Sequence, residues 1–265
     1  MKNYLKSLYL NRGLIFRMTY KEMTDRYAGS NLGVFWAILQ PLFLIVLYTV
    51  VFTFIFKVKI SIESSSKDYA LFAIAGLIPW LAFSEGINKS ITSIYSKASL
   101  VKQSIFPIEI LPLSSILPSF ISLIIGLIIY FIILSIFMPD RFSLMMLLLP
   151  LVIIFNILFT LGLSYLLSLA GVYFRDLGEL MTVILTVLTF ATPILYIESM
   201  LPQKIIFLMN FNLASHLIYI YKDIIYTGKI NHPYSFLIFG LFSLIFFSLG
   251  IRAFHKSKHL LANIL

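Results

Sequence analysis

The chain has 265 residues, 60% of them hydrophobic and only 12% charged, with mean hydropathy +0.98 and a formal net charge of +9. A water-soluble domain of this size cannot bury so much apolar surface, so the composition places the chain in a bilayer. The absence of cysteine excludes a disulfide scaffold, a thiol nucleophile and cysteine-held zinc or iron–sulfur sites.

Residues 1–28 set Leu5, Leu8, Arg12, Ile15, Thr19 and Met23 at helical spacing, while Lys2, Lys6, Arg17 and Lys21 fall mainly elsewhere around the helix. This predicts an amphipathic helix at the cytoplasmic interface, ended by Gly29-Ser30-Asn31. Two roles suit it: a surface anchor, or a docking surface for a cytoplasmic partner. Its apolar stretch Leu14-Ile15-Phe16 is cut by Arg17, too soon for a cleaved signal peptide.

Each charge at a helix centre costs about 2.5–3.5 kcal/mol on the insertion scale, so charge-free runs mark spans. Six are expected, over residues 32–56, 70–87, 110–138, 143–171, 180–197 and 234–251, with no alternating pattern of a barrel. Span 1 carries Phe35 or Trp36, Phe43, Tyr48, Phe52 and Phe56 near helical spacing. Such a stripe is either packing and lipid contact or the lining of a path for sugars, whose C–H faces suit aromatic rings. Tyr196, at the end of span 5, joins it under the second reading.

Between spans 2 and 3, Ile91, Ile94, Ala98, Val101 and Ile105 form a narrow apolar stripe with Lys89, Lys97 and Lys102 off it. Pro107 disfavours helix at Phe106, so the chain turns there. This short loop helix either caps the bundle or carries force from a motor protein. The connection 198–233 holds an uncharged stretch, Ile205 to Tyr221, made too polar for a span by Asn210, Asn212 and His216. Its length suits a re-entrant or interfacial helical pair that gates an exit.

Thirteen of the twenty Lys and Arg fall in segments that are cytoplasmic if the amino terminus is cytoplasmic. Both termini are therefore expected inside, and the basic charge points to a membrane surface rather than to nucleic acid. One membrane domain is expected over 1–265: the interfacial helix to residue 31, a six-span bundle over 32–251 and a basic tail over 252–265.

Catalytic signals are missing from the sequence. No G-x-x-x-x-G-K-S/T loop, His-Glu-x-x-His or Gly-x-Ser-x-Gly is present. His255 and His259 share a helical face but sit beside Lys256 and Lys258, which suits a solvated tail rather than a metal site. His216 and His232 have no carboxylate partner evident nearby in sequence. Glu85 and Glu109 lie near span ends, so no ionisable residue stands mid-span as an ion-coupled carrier would need.

Several stretches, in order, resemble one family. They are Arg17 through Phe56 (RMTYKEMTDRYAGSNLGVFWAILQPLFLIVLYTVVFTFIF), GLIPWLAFSEGI at 76–87 and LVKQSIFPIEILPLS at 100–114. Arg175-Asp176-Leu177, Thr192-Pro193-Ile194-Leu195-Tyr196 and Leu201-Pro202 follow. Together they are similar to the type-2 ATP-binding-cassette exporter permeases that move polysaccharides or polyol phosphates. The chain departs from that pattern at Asn210-Phe211, where the family usually has Asn-Pro, and at Tyr221-Lys222-Asp223, where it has Tyr-Arg-Asp. Lysine keeps the charge but not the two-pronged guanidinium.

The resemblance implies an all-helical permease of a bacterial inner membrane, working as a homodimer around a central pathway. Two separate cytoplasmic ATPase subunits would hold ATP and Mg; this chain would bind no cofactor and catalyse nothing. Lys102, Phe106, Pro107 and Glu109 match the family's coupling motif, with Lys97, Arg17 and Arg26 on the same docking segments. Phe35, Trp36, Phe43, Tyr48, Phe52 and Tyr196 are the pathway candidates, and Asn210, His216 and Tyr221 the external gate. The implied substrate is a lipid-linked polysaccharide, O-antigen-like before capsule or teichoic acid. The rivals are an exporter of small hydrophobic compounds, a channel or carrier needing no motor, and a membrane enzyme of glycan assembly.

Overall fold

The computed structural model describes residues 2–55, 66–102, 106–198 and 201–264. Phe56, Ile105 and the side chain of Leu5 lie outside what is described. Among the described residues every regular element is helical. The helices are α1 (Lys2–Leu10), α2 (Arg12–Arg26), α3 (Trp36–Val50), α4 (Ser66–Thr92), α5 (Ala98–Val101) and α6 (Ile110–Phe137). They continue with α7 (Leu149–Tyr173), α8 (Leu177–Ala191), α9 (Gln203–Met209), α10 (Leu213–Lys222) and α11 (Pro233–Ile264).

Five of the described helical stretches are long and apolar enough to cross a membrane: Gly33–Ile55, Asp68–Thr92, Ile110–Phe137, Leu144–Tyr173 and Pro233–Lys258. Asp68–Thr92 is buried over 78% of its most apolar window against 11% for Gly33–Ile55, so α4 is the axis of the bundle and α3 lies at its margin. Between apolar helices in lipid there is little hydrophobic drive, and close backbone approach takes its place. The α7–α11 contact is built that way. A Cβ on Gly162 would stand 2.4 Å from the Phe246 carbonyl carbon, and one on Gly250 would stand 2.3 Å from the Gly162 carbonyl oxygen. The hydroxyls of Ser114, Ser115, Ser119 and Ser168 donate to carbonyls three residues back, so these buried polar groups need no water.

The structure corrects four expectations. Span 2 is longer than residues 70–87, running to Thr92 and absorbing the start of the loop stripe. The expected span 5 over 180–197 is instead the 15-residue α8, about 22 Å long at 1.5 Å per residue, short of a hydrocarbon core of about 30 Å. Pro193 stops it: Thr192 is extended (φ −111°, ψ 150°), as the residue before a proline prefers. The single amino-terminal helix is two, α1 and α2, meeting at Asn11, and Arg12 of the expected stripe is exposed while Tyr4 and Thr19 are buried. Finally, α11 continues through the residues read as a basic tail, with Phe254 and Leu261 buried.

Candidate functional site

One end of the bundle is tied together by side chains from α1 and α2. Glu22 on α2 pairs with Lys97, which lies in the turn before α5. Arg26 pairs with Glu85 of α4 at 2.5 Å and donates to the Gln40 side chain at 3.2 Å. From α1, Ser7 donates to the Glu109 carboxylate at 2.9 Å, while Tyr4 and Tyr165 share a 2.5 Å hydrogen bond and Tyr165 donates to the Glu109 carbonyl at 2.9 Å. The 88–102 stripe is buried at Ile91, Ile94 and Val101, which fixes the loop against the bundle. Phe106 and Pro107 are half-buried, the ring packed on the core.

Of the seven coupling candidates, the structure thus joins Lys97, Glu109 and Arg26 to other elements of the clasp. Arg17 and Lys102 are exposed and stand outside it. Within this clasp, Glu22–Lys97 joins α2 to the loop, Arg26 joins α2 to Glu85 of α4 and to Gln40 of α3, and Tyr4 and Ser7 join α1 to Tyr165 of α7 and to Glu109 at the start of α6.

The aromatic stripe of span 1 divides in two. Phe35 and Phe43 are exposed, alongside Val46, Leu47, Val50 and Phe54 on an uncovered apolar face. Trp36 donates its indole N–H to Ser30 at 2.8 Å. Tyr48 and Phe52 turn inward instead, their rings stacked at 5.7 Å, and Phe52 meets Tyr69 edge-on at 4.9 Å. The ring series continues through Phe72 to Tyr226 and ends under the Arg141 guanidinium, 4.7 Å from the Tyr226 ring. Tyr196 is apart from this series: its hydroxyl donates to the Phe190 carbonyl at 3.1 Å, closing the broken end of α8.

The connection 198–233 contains a helical pair, α9 and α10, joined at Asn210–Asn212. Asn212 caps α10, its side-chain oxygen accepting from the Ala214 N–H at 3.0 Å. Residues 214–226, most of α10 and the turn after it, are buried throughout, and α10 packs on α4, α7 and α11. Of the gate candidates, His216 is buried, its ring nitrogens 2.9 Å from the Ser235 hydroxyl and 3.0 Å from the exposed Asn210 carbonyl. Tyr221 is buried 3.4 Å from the Asn156 amide, facing the core rather than an opening.

Two features of this region were missed by sequence reasoning. Lys222 was counted as an external charge, yet it is fully buried and donates to the carbonyls of Pro193 and Ile194 at 2.5 and 2.9 Å, its ammonium 3.4 Å from the Phe72 ring centre. It satisfies carbonyls that the interruption at Pro193 leaves without helical partners. The signal was a lysine that directly follows the uncharged stretch Ile205 to Tyr221. Second, His232 does have carboxylate partners. Its Nδ1 lies 3.1 Å from Asp223 and its Nε2 3.5 Å from Glu198, and the ring stacks on Tyr219 at 4.3 Å. Asp223 also accepts the backbone N–H groups of Asn231 and His232, both at 2.8 Å, across a turn where Gly228 has φ +66°. The Asp223 hydrogen bond, then the Glu198 one, raises the His232 pKa to about 9; the His232 hydrogen bond holds Glu198 below the usual carboxylate range. A nine-residue spacing across a turn carries no sequence signature for such a pair.

Comparison with known proteins adds an independent line. The family described as ABC-2 type transporter matches residues 13–226. The chain is 27% identical over 252 residues to the O-antigen export system permease protein RfbA of Klebsiella pneumoniae, covering 95% of each chain. It is 30% identical over 196 residues to the protein of the same name from Myxococcus xanthus, covering 74% of this chain and 73% of that one. It is also 21% identical over 241 residues to the polysialic acid transport protein KpsM of Escherichia coli, covering 90% of this chain and 91% of that one.

Proposed function

Since the chain belongs to the ABC-2 type transporter family, we propose that it is the membrane permease subunit of an ATP-driven exporter of lipid-linked polysaccharide, O-antigen-like before other polymers. It sits in the bacterial inner membrane. The observation that carries this reading is end-to-end similarity to permeases named for O-antigen export, over 95% of both chains. Two copies form the pathway, and two cytoplasmic ATPase subunits supply the ATP site with its Mg. Physical need supports a hydrated route: moving each hydroxyl into a medium without partners costs roughly 4–8 kcal/mol, and a glycan carries several per sugar.

In this reading the chain crosses six times with both termini inside. The short α8 makes the fifth crossing together with the irregular segment behind it, and α9 and α10 form a re-entrant pair at the outer face. One permease domain fills residues 1–265. The clasp of Glu22–Lys97, Arg26–Glu85 and Ser7–Glu109 receives the ATPase stroke, with Phe106 and Pro107 beside it and Lys102 and Arg17 presented to the motor. The exposed rings Phe35 and Phe43, with Trp36, face the pathway between the two copies; Tyr48, Phe52 and Tyr196 support its wall. Asn210, His216 and Tyr221 hold the outer closure. Rigid-body rotation of the bundles opens it.

The test is affinity purification from native membranes in mild detergent, with mass analysis and an ATPase assay. A stoichiometric ATPase subunit, stimulated by lipid-linked glycan, is expected. Stimulation by small hydrophobic compounds and not by glycan would overturn the substrate. Flux in liposomes that contain this chain alone would overturn the motor.

A further inference from the structure

Between α3, α4 and α6 lies a cavity of about 520 Å³, within the size range of small-ligand sites. Its lining is graded. Arg26, Gln40, Glu85 and Lys89 meet at one end, and Tyr48, Ile78 and Leu123 form the other. On α3 the lining runs from Gln40 to Tyr48, about 12 Å at 1.5 Å per residue; on α4 it runs from Lys89 back to Ile74, about 22 Å. Those depths bracket one leaflet, half of a hydrocarbon core of about 30 Å. The polar end sits at the cytoplasmic level, beside the α2 helix that carries Arg26. The cavity therefore has the shape and polarity of one lipid chain below its headgroup.

Charge selects the headgroup. Arg26 and Lys89 stand against Glu85 alone, leaving a net positive mouth. Arg26 already engages Glu85 and Gln40 through separate nitrogens, but a guanidinium has five N–H donors, so others remain for an oxyanion. Lys89 is exposed and has no ion pair among the described residues. Basic pockets between helices on the cytoplasmic side suit anionic lipid headgroups. We propose that this cavity binds an anionic glycerophospholipid of the cytoplasmic leaflet, its phosphate held by Arg26 and Lys89 and one acyl chain running past Ser122 to Tyr48.

A lipid there would wedge between α3, the least covered of the five long apolar helices, and the α4–α6 core. It would touch the Arg26–Glu85 contact without being the transported cargo. Its placement in the cytoplasmic leaflet rests on the orientation proposed above, while lipid retention itself needs no transport.

The experiment is native mass spectrometry of the full-length chain, delipidated and re-exposed to dioleoyl phosphatidylglycerol, dioleoyl phosphatidylcholine or a long-chain polyprenyl phosphate. Phosphatidylglycerol should be retained about tenfold more tightly than phosphatidylcholine, a difference of ~1.4 kcal/mol. Ser122→Phe, which fills the shaft, and Lys89→Glu, a surface change at the mouth, should each remove that preference, while Ser122→Ala and Lys89→Arg keep it. Equal retention of the two phospholipids, or an unchanged preference in Lys89→Glu, overturns the proposal. Displacement of phosphatidylglycerol by equimolar polyprenyl phosphate also overturns it, assigning the cavity to a substrate's lipid anchor.

Discussion

Consider the loss of Lys97. Its ammonium pairs with Glu22, and the two side chains are 24% and 26% exposed. Fully exposed pairs contribute about 1 kcal/mol or less, and removing one partner of a fully buried pair costs roughly 3–5 kcal/mol. A pair between those limits gives about 1–2 kcal/mol for Lys97→Ala, a roughly five- to thirtyfold loosening of the contact between the loop and α2. Folding of the bundle should survive, because Ile91, Ile94 and Val101 still anchor the loop. In the complex with its ATPase, hydrolysis should persist while export of glycan falls by a comparable factor. The reversed pair, Glu22→Lys with Lys97→Glu, should recover most of the export lost in either single variant. Normal export in Lys97→Ala would refute the clasp as a coupling element. So would a reversed pair no better than the single variants when all three are folded.

Four other outcomes are expected. Replacing Phe106 and Pro107 together should uncouple hydrolysis from export with an unchanged circular dichroism spectrum; full export would remove that pair from the coupling path. Gly162→Ala puts a Cβ into the Phe246 backbone and should lower the thermal midpoint markedly, whereas Gly178→Ala, in open space, should not; similar midpoints would show that α7 and α11 separate freely. Lys222→Met leaves the Pro193 and Ile194 carbonyls unpaired at about 1–3 kcal/mol each, and a variant as heat-stable as the parent would show that these carbonyls find other partners. For pH, the raised His232 pKa makes its ion pairs complete below about 6.5 and lost as pH rises through about 9, while the lowered Glu198 pKa makes its share complete above about 4.5 and lost below. A histidine titration by NMR should therefore give His232 a midpoint near 9, and a midpoint near 6.5 would refute the cluster.

Charge-free runs were enough to read the long helices, because charge in lipid is costly at any position along a helix, and helical spacing was enough to read the buried face of Ile91, Ile94 and Val101. Hydropathy did not reveal the break at Thr192-Pro193. The residues beyond it are as apolar as a span, so the run looked continuous although the helix is not. Pro193 was visible, and its effect on Thr192 could have been read. The candidate sites were less legible. Glu22–Lys97, Ser7–Glu109 and Asp223–His232–Glu198 join distant positions or cross a turn, and spacing carries no trace of contacts made only by packing. Lys222 illustrates the limit: composition registers a charge, while its burial follows from three helices meeting around it.

The shortness of α8 also bears on how the chain is made. A helix of 15 residues is a weak stop signal for the insertion machinery, and its far end depends on neighbours at both sides in time. Trp80, synthesised earlier, donates to Thr189 at 2.8 Å and is ready when α8 emerges. Lys222 comes 29 residues after Pro193, so the α8 terminus waits for it with its carbonyls unmet. This corner therefore closes only once Lys222 has been made, and a nascent chain halted before that point leaves the end of α8 with its carbonyls unmet.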